Sequence, residues 1–168
     1  MNCNTPTTGS EEAQPMYFGN YGTTIGNVKG GTDETSYIGG KWNTQKCLHA
    51  CTKENKDLTN GVTNNSGTGY SPAVCCCVAY STPGTKPGDW YLPSVGELYK
   101  IYANKKTINE KRTSIKGSGF SESYYYWSSR EYSSSGEYFV YLSNGYISDY
   151  NKDSYYYRCV LGFLALEV

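Results

Sequence analysis

From Tyr124 to Tyr157 the chain carries 11 of its 19 tyrosines, interleaved with Ser, Gly, Asn and Asp. A segment of this kind constrains the fold. Its large rings need strands and turns that either bury them or display them. Tyr offers wide rigid contact area for little rotamer entropy, while Ser, Gly and Asn adapt their hydrogen bonding. No catalytic group stands out within the block, so the chain reads first as a binder. Along Tyr138 to Tyr150, strand alternation separates two faces. Val140, Leu142 and Ile147 are expected to point inward, and Phe139, Tyr141, Tyr146 and Ser148 outward. An exposed aromatic face is costly unless it binds something or is covered. The alternative is that these rings pack on the N-terminal half or on a second subunit.

With 168 residues the chain suits one domain with its own core. Lys plus Arg number 15, as do Asp plus Glu, so no basic field favours nucleic acid as a partner. No apolar run approaches the ~20 residues of a membrane span. Residues 1–15 read as a polar, disordered tail or tether, and residues 16–168 as the domain. The start, Met1-Asn2-Cys3-Asn4, shows neither the basic nor the apolar region of a signal peptide. A chain beginning after signal removal would look the same. Cys3 is a candidate lipid-bearing cysteine of a surface lipoprotein; the competing reading is an incidental thiol in a disordered terminus.

Seven cysteines, Cys3, Cys47, Cys51, Cys75, Cys76, Cys77 and Cys159, leave at least one unpaired within the chain. Cys47, Cys51 and His49 with the Cys75-Cys76-Cys77 run lack the spacing of a zinc site, and three consecutive cysteines cannot all aim at one ion without strain. Buried free thiols acting as small apolar residues are expected instead. Asp149, Asn151 and Asp153 alternate as in a calcium loop but lack its Gly and distal Glu. His49 is the single histidine, and no nucleophile elbow accompanies it. Neither a metal, a cofactor nor an enzymatic activity is therefore expected.

Local signals place the elements. Asn43-Thr44 predicts the start of a helix to about Asn55. Residues 57 to 70 read as irregular loop. Ser71-Pro72 opens a short apolar helix through Tyr80, with Pro where its missing N–H costs nothing. Ser94 and Glu97 form a capping box for a helix to about Asn104, with Leu98, Ile101 and Tyr102 on one face. Residues 105–119 read as polar loop. Tyr138–Leu142, Tyr146–Tyr150 and Tyr157–Leu164 read as strands, the last apolar enough to be central. Ser143-Asn144-Gly145 is the hairpin turn between the first two. Trp90 and Trp127 are expected in the core, and Arg158 is expected to pair with a carboxylate such as Glu131.

Three signatures occur in order: Asp89-Trp90-Tyr91-Leu92-Pro93-Ser94 with Glu97-Leu98, Tyr126-Trp127-Ser128-Ser129 with Glu131-Tyr132, and Tyr157-Arg158-Cys159-Val160. Over roughly residues 40 to 164 the chain resembles a bacterial lectin-like family that includes the variable proteins of diversity-generating retroelements. The resemblance implies an α+β, C-type-lectin-like fold of two helices with short antiparallel strands and long loops. It also implies a variable region over about 124–157. In diversified members, adenine-directed mutagenesis of the coding template yields Tyr, Ser, Asp, Asn and Gly, but not Lys, Glu, Gln, Met or Trp. From Tyr132 to Tyr157 the only residues of that excluded set are Glu137 and Lys152. The family's second Arg after the Cys-Val pair is Leu161 here. The calcium signatures of sugar-binding lectins and the cysteine pair of formylglycine-generating enzymes are absent.

The implied function is display of a Tyr/Ser-rich surface to a protein or glycan, at a bacterial cell surface, secreted, or borne by a phage or in the cytoplasm. The alternative is a structural or adhesive subunit of a surface appendage, with oligomers formed through the same face. A third reading is a redox or metal enzyme using the cysteines. Tyr132, Ser133, Ser135, Phe139, Tyr141, Tyr146, Ser148, Asp149, Tyr150, Ser154, Tyr155 and Tyr156 are the candidate binding residues.

Overall fold

Helix α1 (Gly40–Ala50) starts ahead of the Asn43-Thr44 pair that marks its start in the sequence. The structure, a computed structural model, describes residues 15–26, 38–51, 69–115, 119–120, 123–154, 158–159 and 162–164, of which 158–159 as backbone only. Asn43 and Thr44 are buried within α1 and cap nothing. Thr44 Oγ1 donates to the Leu92 carbonyl at 3.2 Å and accepts from Leu92 N–H at 3.0 Å. Asn43 Nδ2 donates to Ser129 Oγ at 3.4 Å. A buried polar side chain must find a partner, and here the partners lie across the interface rather than at the helix end. Gly40 makes the approach close: a Cβ there would strike Glu97 Oε2 and come within 2.8 Å of the Leu92 carbonyl oxygen.

Helix α2 (Pro72–Ala79) follows its sequence signals, with Pro in the first turn and Pro72 through Val78 all buried. The short strand β1 (Trp90–Tyr91) leads into α3 (Val95–Ser114). The capping box at Ser94 closes as expected, with Ser94 N–H donating to Glu97 Oε2 at 2.7 Å. α3 then continues well past Asn104, through most of the stretch read as polar loop. Two contacts hold its polar half. Lys105 Nζ donates to the carbonyls of Leu142 and Ser143 at 3.0 and 2.7 Å. Phe120 N–H donates to Asn109 Oδ1 at 2.9 Å, and the Arg112 guanidinium lies 4.7 Å from the Phe120 ring centre. Lys, Glu and Arg in this half are strong helix formers, and the tertiary anchors decide the outcome. With α2 counted, the described residues form three helices, against the two that the resemblance implies.

Strands β2 (Tyr125–Glu131), β3 (Gly136–Tyr141), β4 (Tyr146–Asn151) and β5 (Arg158–Cys159) form a four-stranded sheet in the order β4-β3-β2-β5. β2, β3 and β4 are antiparallel, and the β2–β3 register shifts between Trp127 and Glu131. β5 runs parallel to β2. β6 (Phe163–Leu164) pairs with β1 as a separate two-stranded sheet. The C-terminal run is thus divided between two sheets, and among the described strands β5 lies on the outside of its sheet, not at its centre. The fold class is mixed α+β.

The sheet is covered on both faces. α3 supplies Val95, Leu98 and Ile101 to one cluster with Tyr126, Val140 and Leu142. α1, α2 and the N-terminal residues Met16 and Phe18 meet Trp127 and Phe139 in the other. Neighbouring residues Tyr126 and Trp127 therefore enter different clusters, as strand alternation requires. Trp127 is fully buried, and its Nε1 donates to the Met16 carbonyl at 2.9 Å. Trp90 is also buried, edge-on to Tyr80, with Nε1 donating to Thr85 Oγ1 at 3.1 Å. Burial of an indole with its N–H partnered is the expected core state. No described helix is long and apolar enough to cross a membrane. The tail over residues 1–14 and most of the loop over 57–70 lie outside the described residues.

Candidate functional site: the tyrosine-bearing sheet

The register aligns the aromatic side chains in a row. Tyr125, Tyr141 and Tyr146 are direct cross-strand neighbours on β2, β3 and β4. The Tyr125 and Tyr141 rings lie 4.6 Å apart, and Phe139 sits edge-on to Tyr125 at 5.0 Å. Phe139 opposes Ser148, and Glu137 opposes Tyr150. Alternation therefore sets Phe139, Tyr141, Tyr146, Ser148 and Tyr150 on one face. Val140 and Ile147 point to the α3 side, as does Leu142 in the turn that follows. Tyr146 and Tyr150 are 56% and 47% exposed, so the row ends in open rings. Tyr141 and Ser148 are half-buried.

Phe139 lies on the expected face but is not exposed there. It is 5% exposed, because the cluster around Trp127 and Phe18 covers its ring. Packing against the N-terminal half applies to this residue and, in part, to Tyr125. Phe139 supports its neighbours from beneath and offers no contact surface.

The remaining candidates fall elsewhere. Tyr132, 56% exposed, stands edge-on to Tyr138 at 5.4 Å. Tyr138 opposes Asp149 on the other side of the sheet from Tyr141. Ser133 and Ser135 shape the β2–β3 turn: Gly136 N–H donates to Ser133 Oγ at 3.0 Å, and the two hydroxyls are 3.5 Å apart. Ser154 N–H donates to the Asn151 carbonyl in the turn leaving β4. Tyr155 and Tyr156 lie outside the described residues. The described candidates thus form two patches, one around Tyr141, Tyr146 and Tyr150, the other around Tyr132 and Asp149.

Within the same part of the fold sits a buried ionic cluster that no local motif announces. Lys152 is fully buried, with Nζ 2.7 Å from Glu131 Oε1 and 3.8 Å from Glu137 Oε2. Glu131 also accepts from Ile25 N–H at 2.9 Å and Gly26 N–H at 2.8 Å. The Lys152 carbonyl accepts from Phe18 and Gly19 N–H, both at 3.1 Å, and Lys152 N–H donates to the Ser135 carbonyl at 3.0 Å. The cluster therefore ties the N-terminal segment, the β2–β3 turn and the end of β4 to one another. The cationic partner of Glu131 among the described side chains is Lys152; the Arg158 side chain lies outside them. The signal available in the sequence was the pair Glu137 and Lys152, the one Glu and the one Lys between Tyr132 and Tyr157.

Cys47, Cys51, Cys75 and Cys77 are free and buried, as expected of small apolar residues. Cys76 is disulfide-bonded, to a residue outside the described side chains. Among the described residues no group of three or more His, Cys, Asp or Glu side chains is arranged to hold a metal ion. Asn151 Oδ1 instead accepts from Asp153 N–H at 2.8 Å, closing a turn, and His49 is exposed on α1. Comparison of the chain with protein-family models, curated proteins and solved structures finds no match to any of the three.

Proposed function

We propose that this protein is a ligand-binding display module in which a C-type-lectin-like scaffold presents a diversified Tyr/Ser-rich surface to a protein or glycan. One observation carries the reading. Glu137 and Lys152, the two residues between Tyr132 and Tyr157 that adenine-directed mutagenesis does not supply, are both fully buried in the ionic cluster. Tyr132, Tyr146 and Tyr150, which that route does supply, are among the exposed large hydrophobic side chains of the described residues. Variation at the surface and constancy beneath it is the pattern that a diversified binder needs. Loss of a buried charge partner is strongly destabilising, whereas surface substitutions cost little. The proposed setting is a bacterial cell surface or a phage, without enzymatic activity, metal or cofactor.

Tyr anchors suit this role because each ring buries large apolar area and still offers a hydroxyl. The formal charge of zero leaves affinity weakly dependent on salt. The test is affinity capture of a binder with the full chain, followed by serine replacement of Tyr132, Tyr141, Tyr146, Tyr150, Tyr155 and Tyr156. Binding should be lost with the circular dichroism unchanged, and chelator should have no effect. Binding that survives the six replacements, or that chelator abolishes, overturns the reading. Self-association through the same residues would favour an appendage subunit instead. A reverse transcriptase gene beside a near-copy of the segment encoding residues 124–157 is the expected genomic context.

A further inference from the structure

β4 is the outer strand of its sheet among the described residues, paired on one side with β3. Lys152 N–H donates to the Ser135 carbonyl, one step beyond the Asn151–Gly136 pair. Hydrogen-bonded pairs alternate along an antiparallel ladder. Tyr146, Ser148 and Tyr150 therefore turn their backbone groups toward β3, and Ile147, Asp149 and Asn151 turn theirs away. The Asn151 carbonyl accepts from Ser154 N–H. The outward N–H and C=O of Ile147 and Asp149 have no hydrogen-bond partner among the described residues. The strand also carries neither Lys nor Pro, the residues that commonly keep an exposed edge from pairing.

We propose that two copies of this chain pair antiparallel through β4, about a two-fold axis at Ser148, so that their four-stranded sheets become one. The strand reads Tyr-x-Ser-x-Tyr in both directions about Ser148, and a two-fold contact requires such a self-complementary patch. With the axis there, Ile147 and Asp149 of one copy oppose Asp149 and Ile147 of the other. Every free outward donor then meets a free acceptor.

Charge fixes the register. Asp149 is the sole charged residue of β4. An axis at Asp149 would set two carboxylates directly opposite each other, which is destabilising. An axis at Ile147 would oppose Asp149 to Gly145, whose N–H already donates to the Tyr141 carbonyl. An axis at Tyr150 would oppose it to Asn151, whose carbonyl is taken. The axis at Ser148 alone avoids all three conflicts. On the aromatic face it sets Tyr146 beside Tyr150 of the second copy, and the two Ser148 hydroxyls beside each other, both favourable cross-strand pairs. The formal charge of zero adds no net repulsion between copies.

The rings stand side by side in this arrangement, so the row of Tyr125, Tyr141 and Tyr146 continues into the second copy and its face stays open. A two-fold contact closes at two copies, unlike the open assembly of an appendage. The pairing does not rest on the ligand-binding reading, and a monomeric chain would leave that reading intact.

The test is sedimentation equilibrium of the full chain over a series of concentrations. A mass rising to twice the 18.7 kDa of one chain is expected. Asp149→Pro removes an outward N–H and leaves the β3 ladder in place, so this variant should sediment as a monomer. Ser148→Cys fixes the register: under mild oxidation the two introduced thiols, opposite each other at the axis, should link, as peptide mapping without reductant would show. Asp149→Cys should form no such link to its own counterpart. A chain that stays monomeric at every concentration overturns the proposal. So does a dimer that survives Asp149→Pro, or linkage through Asp149→Cys in place of Ser148→Cys. Should Asp149→Pro fail to fold by circular dichroism, the two cysteine variants decide.

Discussion

Lys152 Nζ lies 2.7 Å from Glu131 Oε1, with Lys152 fully buried and Glu131 3% exposed. Removal of one member of such a pair leaves a buried charge uncompensated, which costs about 3–5 kcal/mol. Lys152→Met is therefore expected to destabilise by that amount in urea denaturation. Lys152→Met combined with Glu131→Gln should cost less than the sum of the two single changes, because the pair is coupled. Additive losses would show that the two residues act independently.

Trp90→Ala and Trp127→Ala should each cost about 3–5 kcal/mol, the range for emptying a buried aromatic site. Tyr146→Ser and Tyr132→Ser should stay within about 0.5 kcal/mol of the parent, as exposed positions do. Thermal melts of the four variants check the contrast. Equal losses would place the tyrosines in the core and remove the basis for a display surface.

Gly145 closes the β3–β4 turn at φ 76°, with its N–H donating to the Tyr141 carbonyl at 2.8 Å. A Cβ there would lie 2.6 Å from Tyr102 Cδ1 on α3. Gly145→Ala meets both backbone strain and that ring, and a loss of about 1–3 kcal/mol is expected. Tyr102→Ala in the same chain should recover part of the loss, measured as the shift in melting temperature. No recovery would show that backbone strain alone sets the cost.

Tyr91 gives a pH-dependent signature. Burial, then the Glu97 carboxylate and the hydrogen bond that Tyr91 Oη donates to Glu97 Oε1 at 3.2 Å, raise its phenol above the ordinary range. The unfolded chain ionises this group first, near pH 10. The contribution is therefore fully present below pH ~10 and is lost as pH rises toward the folded value. Ultraviolet titration of the parent minus Tyr91→Phe should show a single late-ionising phenol. A difference spectrum that rises with the bulk of the tyrosines would refute the assignment.

Local chemistry determined much of the architecture. The Ser94–Glu97 capping box, Pro72 at the head of α2 and the turn at Gly145 act through bonds within a few residues, so the sequence by itself located them. Strand alternation likewise put Val140 and Leu142 inward and Tyr141 and Tyr146 on the opposite face, since the period of two is a property of the chain. What covers each face is not. Phe139 is buried because Phe18, far away in sequence, lies in the cluster over it. α3 runs on to Ser114 because the β3–β4 turn takes the Lys105 ammonium. Asn43 and Thr44 look like a cap and instead grip Ser129 and Leu92. The Lys152–Glu131 pair joins residues on separate elements around an N-terminal segment that shares no motif with either. Such pairings carry no short-range pattern, because the free energy that selects them comes from desolvation and burial once the layers have met.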